Sequence, residues 1–350
     1  MVLRNNMENN QSFLVCIRCS TYNHAPYIED ALNGFVMQQT TFPYIAMVVD
    51  DASTDGEQEV VASYVGKYFD INDQNLAYNE ETDYAHITFA QHKTNKNCFI
   101  VVLYLKENHY QTGRNSKRIE YLAEWRDAAK YEALCEGDDY WIDPLKLQKQ
   151  VDFLENNREY SLCFHAAAVW NGNNVNNHSV FSTIQDREYA GVEIFKKWQI
   201  PTASVVYNLD IYKSQVYEKV SHSTKFIYGD TPLFCAASCI GKLRGMSNIM
   251  SVYRRHDGGT TMIEKPLSFR KRFYEHILEF GNVFGGEFQS CCKMVAAKYT
   301  IDMAVQMMKR SNLKDMIYFI IYSFQRNALQ TIKAIILYLF KYIKKNITLL

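Results

Sequence analysis

Apolar residues along the first 140 positions follow two alternating rhythms. Phe13 to Cys19 is a compact apolar run, the pattern of a strand buried on both faces. Ile28, Leu32, Phe35 and Val36 recur at helical spacing, which predicts an amphipathic helix over residues 27–39. Tyr44 to Val49, rich in β-branched and aromatic residues, predicts a second strand. It closes in Asp50-Asp51-Ala52-Ser53-Thr54-Asp55-Gly56, which is turn chemistry, and a helix through Glu57 to Tyr68 follows. Strand, helix, strand, helix with short loops implies parallel pairing and an α/β sheet flanked by helices. In such sheets the ligand crevice lies beyond the carboxyl ends of the strands, where the polar clusters at 20–24 and 50–55 fall. Tyr131 to Cys135 reads as the end of a further strand, and Pro144 to Leu154 as a helix with Asp143 at its N-cap. Segments 70–100 and 171–190 are polar and irregular.

Beyond residue 265 the pattern becomes helical. Met316 to Tyr322 and Ala334 to Phe340 are apolar, with Gln325-Arg326-Asn327 between them. On a helical wheel Ile332, Ile335, Ile336, Leu339 and Ile343 share one face, and Lys333, Lys341, Lys344 and Lys345 lie largely opposite. Charge sharpens this division. The 350-residue chain has a formal net charge of zero, but residues 265–350 hold 14 Lys/Arg against 5 Asp/Glu. The tail therefore carries +9 and residues 1–264 carry −9. The expected organisation is a flexible stretch over 1–11, a first domain over 12–262 and a basic helical region over 263–350. A basic amphipathic helix suits an anionic membrane surface. The same face would equally serve packing on the first domain or a homodimer through these helices. With 47% hydrophobic and 22% charged residues, the chain is globular and not disordered.

No uninterrupted apolar stretch reaches the ~20 residues of a spanning helix. Met1 to Ser12 lacks the apolar core of a secretory signal. The expectation is a cytoplasmic protein, peripheral at the inner face of the cytoplasmic membrane if the tail binds lipid, with no nucleic-acid partner. Nine cysteines, an odd number, argue against a disulfide framework. Cys16 and Cys19 are spaced to point to opposite faces of a strand, so they read as small buried hydrophobes. Neither G-x-G-x-x-G nor G-x-x-x-x-G-K-[ST] occurs, which disfavours dinucleotide enzymes and P-loop ATPases.

Chemistry concentrates in Glu136-Gly137-Asp138-Asp139-Tyr140-Trp141, at a predicted strand end. Adjacent carboxylates freed by a flexible Gly137 offer oxygen ligands to a hard divalent cation, which would neutralise a diphosphate. The competing reading is an acidic turn before the helix. Asp50-Asp51 is a second acidic pair, open to either a turn or a site. With the aromatic face of Tyr22 at the neighbouring strand end, it suits a nucleobase, by stacking from one and an accepted N–H from the other.

Together these segments resemble a known family. Val15-Cys16-Ile17, Thr21-Tyr22-Asn23, Tyr27-Ile28, Gln38 and Val49-Asp50-Asp51-Ala52-Ser53-Thr54-Asp55 are similar to the opening of family 2 glycosyltransferases with the GT-A fold. Glu136 to Pro144 with Lys146-Leu147-Gln148-Lys149-Gln150 resembles the DXD-type metal segment of their bacterial polysaccharide branch. Gly229-Asp230-Thr231-Pro232-Leu233-Phe234 resembles the segment with the catalytic base, and Tyr253-Arg254-Arg255-His256 the closing motif. The resemblance implies a mixed Rossmann-like sheet with a C-terminal helical extension. It implies a nucleotide site at Ser20, Tyr22, Asn23 and Asp51, with Asp51 on the base, most simply uracil. Asp138 would contact the ribose or assist the metal, and Asp139 would ligate Mn²⁺ or Mg²⁺. Asp230 would take the proton of the acceptor hydroxyl, or else merely cap a helix. His256 is open between a metal ligand, a phosphate contact and a loop histidine. Arg254 and Arg255 suit diphosphate oxygens, as does Arg114, which with Asn108 and Gln111 matches a segment ahead of the metal motif.

The implied reaction is a single in-line displacement with inversion, from a nucleotide-sugar donor, UDP-linked, to a saccharide or lipid-linked acceptor. The Q-x-x-R-W motif of processive relatives is absent, since the last tryptophan, Trp198, precedes Asp230. One sugar per binding event is therefore expected. A sugar nucleotidyltransferase would need a glycine-rich basic signature that residues 1–30 lack. A non-catalytic nucleotide- or carbohydrate-binding protein on the same fold is the other alternative.

Overall fold

Unbroken apolar runs in the central strands make a sheet whose middle is buried on both faces. The computed structural model describes residues 13–74, 76–112, 115–171, 179–259 and 265–347. They fall into two compact units, one within the ranges Met1–Ala190, Gln199–Lys213 and Ala237–Ile263, the other within Gly191–Trp198, Ser214–Ala236 and Glu264–Leu350.

In the first unit, β1 (Val15–Thr21), β2 (Tyr44–Asp50), β5 (Cys98–Leu105) and β6 (Tyr131–Leu134) are parallel neighbours in the order β6-β1-β2-β5. Beyond β5, β4 (Ala85–Gln91) and β3 (Tyr78–Glu81) add an antiparallel edge. Beyond β6 come β11 (Val206–Asn208), β8 (Tyr160–Trp170), β12 (Lys242–Arg254) and β10 (Glu188–Tyr189). Short strands β7 (Tyr140–Trp141) and β9 (Ser179–Val180) pair with β12 and β8. This is the mixed sheet expected, built out of parallel and antiparallel ladders.

Val15, Ile17 and Cys19 of β1 join Tyr44, Ala46 and Val48 of β2 in one core layer. Cys16, Ile45, Met47 and Val49 join the layer on the other face. Cys16 and Cys19 are thus free thiols on opposite faces. Helices α1 (Ile28–Val36), α2 (Glu57–Tyr68) and α4 (Lys146–Asn156) cover the first face, and α3 (Asn115–Arg126) covers the second through Leu122 and Trp125. Segment 70–100, irregular by sequence, supplies β3, β4 and the start of β5. Its polar positions sit on the half-exposed edge strand β3, where one strand neighbour is enough. α4 begins at Lys146, two residues later than its proline predicts, with Asp143 Oδ1 accepting the Leu145 N–H at 2.8 Å. Lys146 is fully buried, its Nζ 4.0 Å above the Trp141 ring and 2.8 Å from Gln150 Oε1. Burial pushes its ammonium down to about 7.

The second unit holds α5 (Gly191–Lys196), α6 (Gln215–His222), the start of α7 (Asp230–Ile240), α8 (Leu267–Phe284), α9 (Gly286–Lys309) and α10 (Leu313–Ile347). Phe195, Tyr274, Ile277, Phe280, Phe288 and Cys292 form its main core. α10 bends at Asn327, whose φ of −164° and ψ of 76° leave the helical region. Past the bend, Ala334, Ile335 and Tyr338 pack with Ala297 and Ile301 of α9. Ile332, Ile336 and Leu339, assigned by the helical wheel to the same face as Ile335, are 46%, 45% and 52% exposed. Among the described residues, no helix is long and apolar enough to cross a membrane.

Candidate active site

Three strand ends meet where the parallel part of the sheet opens: Thr21 of β1, Asp50 of β2 and Leu134 of β6. The segment after β6 crosses close behind β1, because Gly137 donates its N–H to Ser20 O at 3.2 Å. A Cβ at position 137 would lie 2.7 Å from Thr21 Cβ and 3.1 Å from His24 Nδ1. Glycine is therefore required here by close approach, where sequence reading had assigned it flexibility.

This crossing separates the two adjacent aspartates. Asp138 points into the crevice, with Oδ2 3.0 Å from His256 Nε2 and 3.9 Å from His24 Nε2. The ligand atoms of His24, Asp138 and His256 all lie within 4.8 Å of one another. The His256 ring also packs against Tyr27, centroids 4.7 Å apart. Burial pulls the His24 imidazole below its usual range, against an opposing pull from Asp138. Asp139 is turned away and buried, Oδ1 accepting the Arg254 backbone N–H at 2.8 Å. Burial, then the charges of Asp138 and Glu136, push its carboxyl well up. The structure does not bring Asp139 into the cluster, and His24 stands there instead. Its signal in the sequence was its position in the loop directly after β1.

Arg254 is also placed away from open crevice. Its guanidinium lies 2.7 Å from Asp30 Oδ2 and over the rings of Tyr27, Tyr140 and Trp170 at 4.7, 4.9 and 5.2 Å. Arg255 is exposed and donates its backbone N–H to Trp170 O at 2.9 Å. Asp51 is buried at the end of β2, and its carboxylate accepts the N–H groups of His109 at 2.8 Å and Tyr110 at 3.1 Å. It thereby ties the loop after β5 to β2. Asp50 Oδ1 accepts from Ser53 N and Gln58 Nε2, which is turn and helix-start chemistry. Tyr22 is half-buried, its hydroxyl 3.5 Å from Gln111 Nε2. Asn23 takes a φ of 57° and accepts the Thr54 N–H at 2.8 Å, holding the loops after β1 and β2 together. Arg114 lies outside the described residues.

Asp230 belongs to the second unit, in the first turn of α7. Its Oδ1 accepts the Thr231 N–H at 2.7 Å, and burial pushes its carboxyl up. The segment leading into it is pinned to α8: Ile227 donates its N–H to His276 Nδ1 at 3.2 Å, and Ser223 Oγ bonds Glu279 Oε1 at 2.8 Å.

Comparison with known proteins settles what this fold is. No family model matches the chain. Among solved structures, residues 1–349 of TarS from S. aureus in complex with UDP-GlcNAc give a TM-score of 0.52 at 16% identity, covering 92% of this chain and 79% of that one. The complex of the same protein with UDP gives 0.51, covering 83% and 71%. The chain has a GT-A glycosyltransferase fold. One curated relative is described as a glycosyltransferase. TuaG of Bacillus subtilis, a putative teichuronic acid biosynthesis glycosyltransferase, is 28% identical over 141 residues, 40% of this chain and 42% of TuaG. An uncharacterized protein of Mycobacterium tuberculosis is 29% identical over 256 residues, 73% of this chain. The chain spans 62% of that relative's length. In a glycosyltransferase fold, the cluster at 24, 138 and 256 sits beyond the carboxyl ends of the parallel strands, where nucleotides bind such sheets.

Proposed function

We propose that the chain is an inverting, metal-dependent family 2 glycosyltransferase. It moves one sugar from a nucleotide-diphosphate donor, UDP-linked, to a hydroxyl of a saccharide or lipid-linked saccharide in surface polysaccharide synthesis. The observation that carries the reading is the position of Asp138 with His256 at the strand ends of a glycosyltransferase fold. Two imidazoles and a carboxylate with converging donor atoms fit a divalent cation such as Mn²⁺. When bound, such an ion neutralises the donor diphosphate and helps it leave. Asp138 and His256 would hold it. Tyr22 offers its ring to the base and Asp51, a hydrogen-bond acceptor at the end of β2, takes a base N–H. Asn23 and Ser20 line the same strand end. Asp230 takes the acceptor proton, a role supported by its motif and by a carboxyl that burial has made more basic. TarS has been captured with UDP and with UDP-GlcNAc, which favours uracil as the base.

The test is nucleotide release by purified protein from a panel of UDP-, GDP- and dTDP-sugars. Release of UDP from a UDP-sugar, supported by Mn²⁺ and stopped by chelator, is expected. UDP binding indifferent to chelator would remove the metal from the reading. Release from GDP- or dTDP-sugars alone would remove uracil.

We further propose that α10 lies on an anionic membrane surface. Ile317, Ile321, Leu329, Ile332, Ile336 and Leu339 are 45–61% exposed, on a tail that carries +9. Changing Ile332, Ile336 and Leu339 together to serine should weaken co-sedimentation with phosphatidylglycerol vesicles about tenfold or more. Unchanged sedimentation would end this proposal, as would loss of a dimer in its place.

A further inference from the structure

The crevice contains a chain of contacts through His24 and Glu57, two residues that the sequence motifs do not include. His24 donates its backbone N–H to Glu57 Oε2 at 2.8 Å, and its ring Nδ1 lies 3.1 Å from Thr21 Oγ1. The Thr21 hydroxyl in turn donates to Glu57 Oε1. Glu57 is fully buried and also lies 2.9 Å from Ser53 Oγ; as a carboxylate it is the acceptor at each of these contacts. A threonine hydroxyl has one proton. With that proton on Glu57, Thr21 Oγ1 can only accept from His24 Nδ1. The ring is therefore held with its proton on Nδ1, and Nε2 presents a lone pair toward Asp138 Oδ2, 3.9 Å away. A lone pair facing a carboxylate is an arrangement that a cation between them stabilises. Gly137 guards it, since a Cβ there would meet both Thr21 and His24.

We infer that His24 is a third protein ligand of the cation, set in its Nδ1–H tautomer by Thr21 and Glu57, and that the site consequently takes Mn²⁺ or a similar transition metal in preference to Mg²⁺. This rests on the reading that Asp138 and His256 hold a divalent ion. Mg²⁺ takes oxygen ligands and keeps its water, whereas imidazole nitrogen suits the transition metals. A site with two imidazoles and a single carboxylate offers Mg²⁺ little. Thr21 and Glu57 are positioning residues here, in the way that outer partners of metal-bound histidines fix ring orientation.

The experiment is Mn²⁺ titration of the full chain, with and without UDP, followed by electron paramagnetic resonance of the free ion, and pulsed measurement of ¹⁴N coupling to the bound ion. Wild type should show coupling from two imidazoles, and equimolar Mg²⁺ should fail to displace Mn²⁺. His24→Gln should leave one imidazole coupling and weaken Mn²⁺ by about 10–100-fold or more. Thr21→Val should weaken Mn²⁺ by about tenfold at least, and Thr21→Ser should restore it. Two couplings and unchanged affinity in a folded His24→Gln protein overturn the inference and leave the metal reading standing. Displacement by equimolar Mg²⁺ overturns the selectivity. No Mn²⁺ uptake by wild type, with or without UDP, overturns the metal reading and this inference with it.

Discussion

Replacing Asp230 with asparagine is expected to lower turnover by about 10²–10⁴-fold while leaving UDP affinity unchanged. Asparagine keeps the size of the side chain and keeps Oδ1 as acceptor for the Thr231 N–H, so the first turn of α7 should survive. What it removes is the capacity to take a proton. The pH profile gives an independent check. Burial raises the Asp230 carboxyl above the ordinary 3.8 of aspartate. A base works only when deprotonated, so the rate should climb with pH through that raised value, and its acid limb should lie above the usual aspartate range. The limb should vanish from the residual activity of the Asn variant. Calorimetry with UDP measures binding, and sugar transfer against pH measures chemistry. An Asn variant with full activity would leave Asp230 as the start of a helix and nothing more.

The sheet was legible because β1 and β2 are compact apolar runs and α1 between them carries a clear helical spacing. β2 is buried at every position and reads as a continuous apolar run. Cys16 and Cys19 fall on opposite faces because the two-residue period of a strand leaves them no alternative. The antiparallel edge was not legible. β3 alternates half-buried and exposed positions in Tyr78–Glu81, and so short a polar stretch carries no periodic signal. The placement of the acidic and polar segments at the carboxyl ends of the strands was also legible, since turn residues following a parallel strand must sit there. The assignment within it was not. Asp138 and Asp139 are equivalent in any spacing argument, and only the backbone path decides which faces the crevice. That path depends on Gly137 passing against Thr21, a contact between residues 116 apart in sequence. Arg254 shows the same limit. Its motif suits diphosphate, but its packing depends on Asp30, Tyr140 and Trp170, from three separate elements.

The pair Asp138 and Asp139 therefore gives the second large effect, and its value lies in the contrast. Asp138→Ala removes the carboxylate that faces both imidazoles. A cation that stabilises a leaving diphosphate contributes several kcal/mol to the transition state, so the loss of transfer should be about 10³-fold or more. Mn²⁺ affinity should fall with it, since one of the converging donors is gone. Asp139→Asn should behave differently. Its Oδ1 still accepts the Arg254 N–H, and no donor of the cluster is lost, so Mn²⁺ affinity should remain near that of wild type. Asp139→Ala leaves the buried Arg254 N–H without its partner, which costs about 1–3 kcal/mol and should appear as a lower unfolding midpoint. Calorimetry with Mn²⁺ and thermal unfolding, run on the three variants side by side, read the two effects separately. Severe loss of Mn²⁺ binding in a folded Asp139→Asn protein, with Asp138→Ala unaffected, would reverse the roles of the two carboxylates and require the segment after β6 to follow a different path past Thr21.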